Sequence, residues 1–200
     1  MDEPWNKIKK DYWTGTFVFT FLFVFSYFTA PSYSLSDLTK KTVKLSSDPV
    51  WKEIHYKGSR YWVDLHFSGD SKEYEIGGID YKYLKYPAFK DSIKDGDLVK
   101  IGVSEDKILT LEKGGIQYLN FDKAQFHKGQ NRIWSRSLFM TGLICCIIPL
   151  FFRTYPTLKV GGQEMRIRFG LILLVSLTIT FFILYNTIGF EFVSSGRFAK

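Results

Sequence analysis

Three apolar runs, 14–30, 137–152 and 169–190, carry no charged residue, and polar chain separates them. The pattern predicts three membrane-spanning helices. At 1.5 Å per residue the first run reaches roughly 26 Å, close to the roughly 30 Å of a hydrocarbon core. Tyr12 and Trp13 precede it as interfacial anchors. Phe recurs every second residue from Phe17 to Phe25, which would suit a strand, but a lone strand in lipid leaves its backbone unsatisfied. Residue Phe28 stands where a signal-peptide site ending at Ala30 wants a small side chain, so the run reads as an uncleaved anchor. The second run lies between Arg136 and Arg153 and contains Pro149. The third is the longest, and its hydroxyls (Ser176, Thr178, Thr180) and Asn186 have the preceding turn or a neighbouring helix to bond.

Between the first two runs, 31–136 is long enough for one small water-facing domain. Its pattern is mainly β. Residues 50–56 and 60–67 predict a hairpin around Gly58-Ser59, with Tyr56 opposite Tyr61 and Ile54 opposite Val63. A third strand is expected at 73–79. A short helix is expected within 80–94, from Pro87 near its start and Gly96 beyond its end. Strands follow at 98–103, 108–111 and 116–121, and 122–136 predicts a basic juxtamembrane helix. The expected fold class is therefore a membrane protein of α+β type: three transmembrane helices with a small mainly-β domain, an open barrel or curled sheet, inserted between the first and second. The tail 1–13, a basic loop at 153–168 with a tight turn at Gly161-Gly162, and the tail 191–200 complete the chain.

Charge changes this picture only when it is located. The net charge is +7, yet 1–13 balances three lysines against three acids, while 153–168 holds four basic residues against one acid. The excess sits beside the apolar runs, where Arg132, Arg136, Arg153, Lys159, Arg166 and Arg168 are candidates for headgroup contact. That distribution speaks against a nucleic-acid partner and for the lipid bilayer as one. The seven basic residues of 1–13 and 153–168, against two in 191–200, put the N-terminus in the cytoplasm and the β domain outside. The basic flanks of the long segment count the other way, but long segments translocate with less regard for charge.

Candidate chemistry is sparse. In the expected register Trp51, Glu53, Trp62, Asp64 and His66 share the polar face of the hairpin, with Glu53 directly opposite Asp64. Two tryptophans on a polar face suit contact with a protein or an envelope component. A metal bridging Glu53, Asp64 and His66 would relieve the repulsion and is the alternative, as part of a membrane-anchored enzyme. No catalytic, phosphate-binding or calcium-loop motif is legible, and no cofactor is expected. With no ionisable group inside the apolar runs, a small transporter or channel subunit is the weaker alternative. The cysteines, Cys145 and Cys146, are adjacent on one helix and unsuited to a mutual disulfide. The expected function is a non-enzymatic integral membrane protein whose β domain binds a protein or envelope component, as an accessory or a toxin-immunity protein.

Overall fold

The computed structural model describes residues 4–28, 33–55 and 59–188. In chain order it forms α1 (Trp5–Phe28), β1 (Thr39–Lys44), β2 (Val50–His55), β3 (Ser59–His66), β4 (Glu73–Gly77), α2 (Gly78–Lys82), α3 (Tyr86–Ser92) and β5 (Leu98–Ser104). Then come β6 (Lys107–Lys113), β7 (Ile116–Gln117), α4 (Phe121–Ile147), β8 (Thr157–Val160), β9 (Gln163–Arg166) and α5 (Phe169–Ile188). The class is α+β with a mixed sheet. Contacts divide the chain into a helical unit, from the described parts of 1–31 and 130–191, and a β unit, from those of 32–129.

In the β unit the strand order is β1-β5-β6-β4-β3-β2, with β7 beside β6. The pairs are antiparallel except β4 with β6, which is parallel. A bridge between Leu45 and Phe67 brings the end of β1 to the end of β3, so the sheet curls back on itself. Alternation along β3 sends Val63, Leu65 and Phe67 inward, where they meet Tyr74 and Ile76 of β4 and Val99, Ile101 and Val103 of β5. Helices α2 and α3 supply Tyr81 and Phe89 to the same core, with Leu84 and Ile93 from beside them. Pro87 sits in the first turn of α3, where its missing N–H costs nothing.

One bulge gives the sheet a second packed face. Gly102 pairs with Thr110 and Val103 with Ile108, leaving Leu109 as an extra residue in β6. Leu109 therefore leaves the main core and packs with Leu38 and Phe121. Gly102 is needed there, because a Cβ on it would collide with Thr110 and lie 3.1 Å from Leu38.

The structure corrects several expected elements. Strand β1 was not anticipated from its lysine-rich sequence. β4 ends at Gly77, and residues 78–79 begin a helix instead of completing a strand. Residues 80–94 hold parts of two short helices, α2 and α3, rather than one. β7 stops at Gln117, after which Leu119 makes only a bridge to Leu84. The expected juxtamembrane helix and second span are one helix, α4, which tightens to a 3₁₀ turn over Ile148–Phe151 around Pro149.

Within the helical unit, α1 runs antiparallel to α4. Trp5 Nε1 donates to the Phe152 carbonyl at 3.1 Å, Gly15 abuts Cys146, Gly142 abuts Phe19, and the Arg136 guanidinium lies 3.8 Å from the Tyr27 ring centre. α5 returns along α4, with Thr141 Oγ1 3.1 Å from Thr180 Oγ1 and Gln130 Nε2 donating to the Ile188 carbonyl at 2.7 Å. Thr178 and Asn186 bond the carbonyls of Leu174 and Phe182 one turn back. The run Phe121–Phe151 and helix Phe169–Ile188 are long and apolar enough to cross a membrane. β8 and β9 form a hairpin whose turn residues, Gly161 and Gly162, have φ of +59° and +81°, the type I′ geometry that glycine pairs supply.

Candidate functional site

The register of β2 on β3 decides the candidate face. Trp51 pairs with Val63, Lys52 with Trp62, Glu53 with Tyr61 and Val50 with Asp64. This is three residues away from the expected alignment, and an odd shift moves the side chains of β2 to the other face. Glu53 therefore faces Tyr61 and not Asp64, so the expected Tyr56–Tyr61 pair is overturned at Tyr61, while Tyr56 itself lies outside the described residues. The expected turn at Gly58-Ser59 lies in part outside the described residues, and Ser59 already belongs to β3.

The same shift separates the two tryptophans. Trp51 turns to the core side, edge-on to Tyr86 at 4.7 Å and Phe89 at 5.7 Å between ring centres. Tyr81 beside it is pushed up to about 12 by burial, so it stays a phenol. Glu53 leaves the face as well and lies 3.4 Å from His55.

What remains on the outer face is a charge-paired array around Trp62. Arg60 stacks over the Trp62 ring at 5.1 Å and bonds Glu75 at 2.8 Å. Lys52 reaches both Asp64 and, at 3.1 Å, Glu73. His66 stands 3.8 Å from Glu73. The hydrogen bonds to Asp64 and then Glu73 raise the Lys52 pKa, and Lys52 in turn holds the Glu73 carboxyl below its ordinary value. Asp64 is only 3% exposed, so Lys52 supplies the counter-charge that its burial demands. Val50 and Ile54 share this face by register and are exposed, at 41% and 51%.

Of the expected binding residues, Trp62, Asp64 and His66 are thus brought together, whereas Trp51 and Glu53 are not. The Glu53–Asp64–His66 metal set has no common face. Among the described residues no group of three or more His, Cys, Asp or Glu side chains is placed to hold a metal ion. The sequence reading missed Lys52, Arg60, Glu73, Val50 and Ile54. The signal for them was the same alternation, read in the wrong register.

The basic residues beside the apolar runs fall in the helical unit. Arg136 is stacked on Tyr27, Lys159 lies 3.6 Å from Glu164, and Arg166 lies over Tyr155 at 5.5 Å. Arg153 and Arg168 are exposed, and Arg132 is half-buried.

With this geometry in hand, comparison of the chain with protein-family models, with curated proteins and with solved structures finds no match.

Proposed function

We propose that this chain is a non-enzymatic, three-span integral membrane protein whose β unit binds a protein partner through the face built on Trp62. Support for three spans comes from the helical unit. α1 carries Phe17 and Phe28 at 74% and 77% exposure, and α5 carries Phe182 at 67%. Outward rows of this kind are costly in water and at rest in lipid. The hydroxyls of Thr141, Thr178 and Thr180 and the Asn186 amide bond within the helical unit, which suits a bilayer. The sheet order, with one parallel pair and the Leu45–Phe67 bridge, supports a small curled sheet as the β unit.

The observation that carries the binding role is the arrangement around Trp62. An aromatic ring held by an arginine and flanked by exposed Val50 and Ile54 has the composition of an interface centre. Its mixed charges disfavour a polyanion. β2 is moreover the terminal strand in the sheet order, so a partner strand has an edge to join. In this reading the N-terminus and the β8–β9 hairpin lie in the cytoplasm and the β unit outside, where an accessory or protective role against an incoming toxin would operate.

A photo-crosslinking residue in place of Trp62 tests the binding role in intact membranes. A discrete, saturable adduct that is absent when the crosslinker replaces Lys100 supports the face, and no adduct at either position sinks it. Orientation is tested separately by Ser71→Cys in a Cys145→Ser/Cys146→Ser background. Labelling of intact cells by an impermeant maleimide supports an external β unit, and labelling only after lysis reverses it.

A further inference from the structure

The β8–β9 hairpin has two chemically different sides. Its register pairs Leu158 with Met165 and Lys159 with Glu164, so alternation puts the first pair on one side and the second on the other. Thr157 and Arg166, also paired, share the side of Lys159 and Glu164. On that side Lys159 lies 3.6 Å from Glu164, and the Arg166 guanidinium lies over the Tyr155 ring at 5.5 Å. On the other, Leu158 and Met165 are 57% and 52% exposed, and Gln163 beside the turn is the one polar residue of the two strands that joins them. The apolar side does not end with the hairpin. Leu158, Met165 and Ile167 line one groove with Leu171 and Ile172 of the first turn of α5, and Arg166 and Arg168 contribute to its wall.

From these two sides we infer that the hairpin lies flat in the membrane interface. Leu158 and Met165 press into the acyl layer of the leaflet that α5 enters, and Lys159 and Glu164 turn to water. This placement rests on the three-span reading and adds to it a lipid contact that does not span. Tether length argues for it. Only Ile167 and Arg168 separate β9 from α5, so even fully extended they keep Arg166 within about 11 Å of Phe169. Aromatic anchors set the level. Tyr12 precedes the first apolar run and Phe169 opens α5, and their rings are 6.1 Å apart, so both runs begin at one depth. Trp5 joins them, 6.1 Å from Phe169 and 4.9 Å from Tyr155, which stands just before β8. Tryptophan and tyrosine gather where acyl chains give way to headgroups. An amphipathic element at that level buries its apolar side about 5–10 Å deep. The open backbone edges of β8 and β9 fix the depth from the other direction: headgroups and water satisfy them in the interface, and the hydrocarbon core would not. Leu171 and Ile172 already face lipid in the three-span reading, and Leu158 and Met165 continue their surface.

The test uses the full chain with Cys145→Ser/Cys146→Ser, reconstituted in phosphatidylcholine vesicles. One new cysteine at a time carries a nitroxide: Leu158→Cys, Met165→Cys, Lys159→Cys, Glu164→Cys or Leu174→Cys. Collision of the nitroxide with oxygen, which concentrates among acyl chains, is compared with its collision with a water-soluble nickel chelate. The oxygen-to-nickel ratio should be severalfold higher for Leu158→Cys and Met165→Cys than for Lys159→Cys and Glu164→Cys. Equal ratios in the four variants, with nickel reaching all of them, would overturn the inference, because the hairpin then stands in water. Shielding of Leu158→Cys and Met165→Cys from both reagents would overturn it in favour of a protein cover. Leu174, 62% exposed on α5, separates the two claims. A label at Leu174→Cys that meets nickel and not oxygen defeats the three-span reading. One that meets oxygen there, while Leu158→Cys meets nickel, defeats only the placement of the hairpin.

Discussion

Lys128 Nζ lies 2.9 and 2.7 Å from the two carboxylate oxygens of Asp80, joining the first turns of α4 to α2. Burial raises the Asp80 pKa even though Lys128 pulls it down. An acid whose folded pKa stands above its unfolded value loses stabilisation as pH rises from the unfolded towards the folded value. The pair is therefore needed mainly to keep a buried charge tolerable. Lys128→Met should destabilise the β unit at pH 7 by about 3 kcal/mol, because it leaves that carboxylate unpaired. Asp80→Asn/Lys128→Met should recover most of the loss. Chemical unfolding of the full chain checks both, and an additive double variant would refute the coupling.

Asp97 is the opposite case. The Lys113 ammonium at 2.6 Å, and then the Lys94 N–H, hold its pKa below the ordinary carboxylate value. A depressed folded pKa contributes stability that is present above pH about 4 and lost as pH falls through the folded value. Asp97→Asn should lower the melting temperature at pH 7 and flatten its fall on acidification. The two proteins should converge once pH falls below the folded value, where both side chains are neutral. Parallel melting curves from pH 7 to pH 2.5 would contradict this.

Trp51 and Trp62 should respond differently to truncation. Trp51→Ala removes a ring that packs on Tyr86 and Phe89 and should cost about 2–3 kcal/mol of stability. Trp62→Ala loses a stacked arginine at the surface, worth about 0.5–1 kcal/mol. Partner crosslinking from a nearby position such as Ile54 should nonetheless disappear in Trp62→Ala, which a merely structural role would not explain.

Glycines set the approach of α1 to α4. A Cβ on Gly15 would stand 3.7 Å from the Cβ of Cys146, within the range for a disulfide. Gly15→Cys with Cys145→Ser should therefore form a bond to Cys146 on oxidation in membranes, measured as loss of thiol labelling. Adding Gly142→Leu, which drives a side chain into Phe19, should suppress that bond. Unchanged thiol labelling of Gly15→Cys would mean that the two helices do not pack this way.

The sequence by itself determined the elements whose signals are local. Residues 14–28, 137–147 and 169–188 are helical, as their continuous apolarity required, and Gly161-Gly162 turns as its freedom at positive φ allows. Tyr61, Val63, Leu65 and Phe67 face inward because alternation along one strand needs no partner to be read. β1 was illegible: Thr-Lys-Lys-Thr-Val-Lys offers only Val43 to the interior, and pairing with β5 makes it a strand. The β2 register was undecided locally, since Val50 and Ile54 are apolar in one parity and Trp51 in the other. Tertiary packing settled it, because Trp51 finds Tyr86 and Phe89 only when Glu53 meets Tyr61. With that choice Lys52 came beside Asp64, and the face around Trp62 was made by contacts between strands that no single stretch of chain encodes.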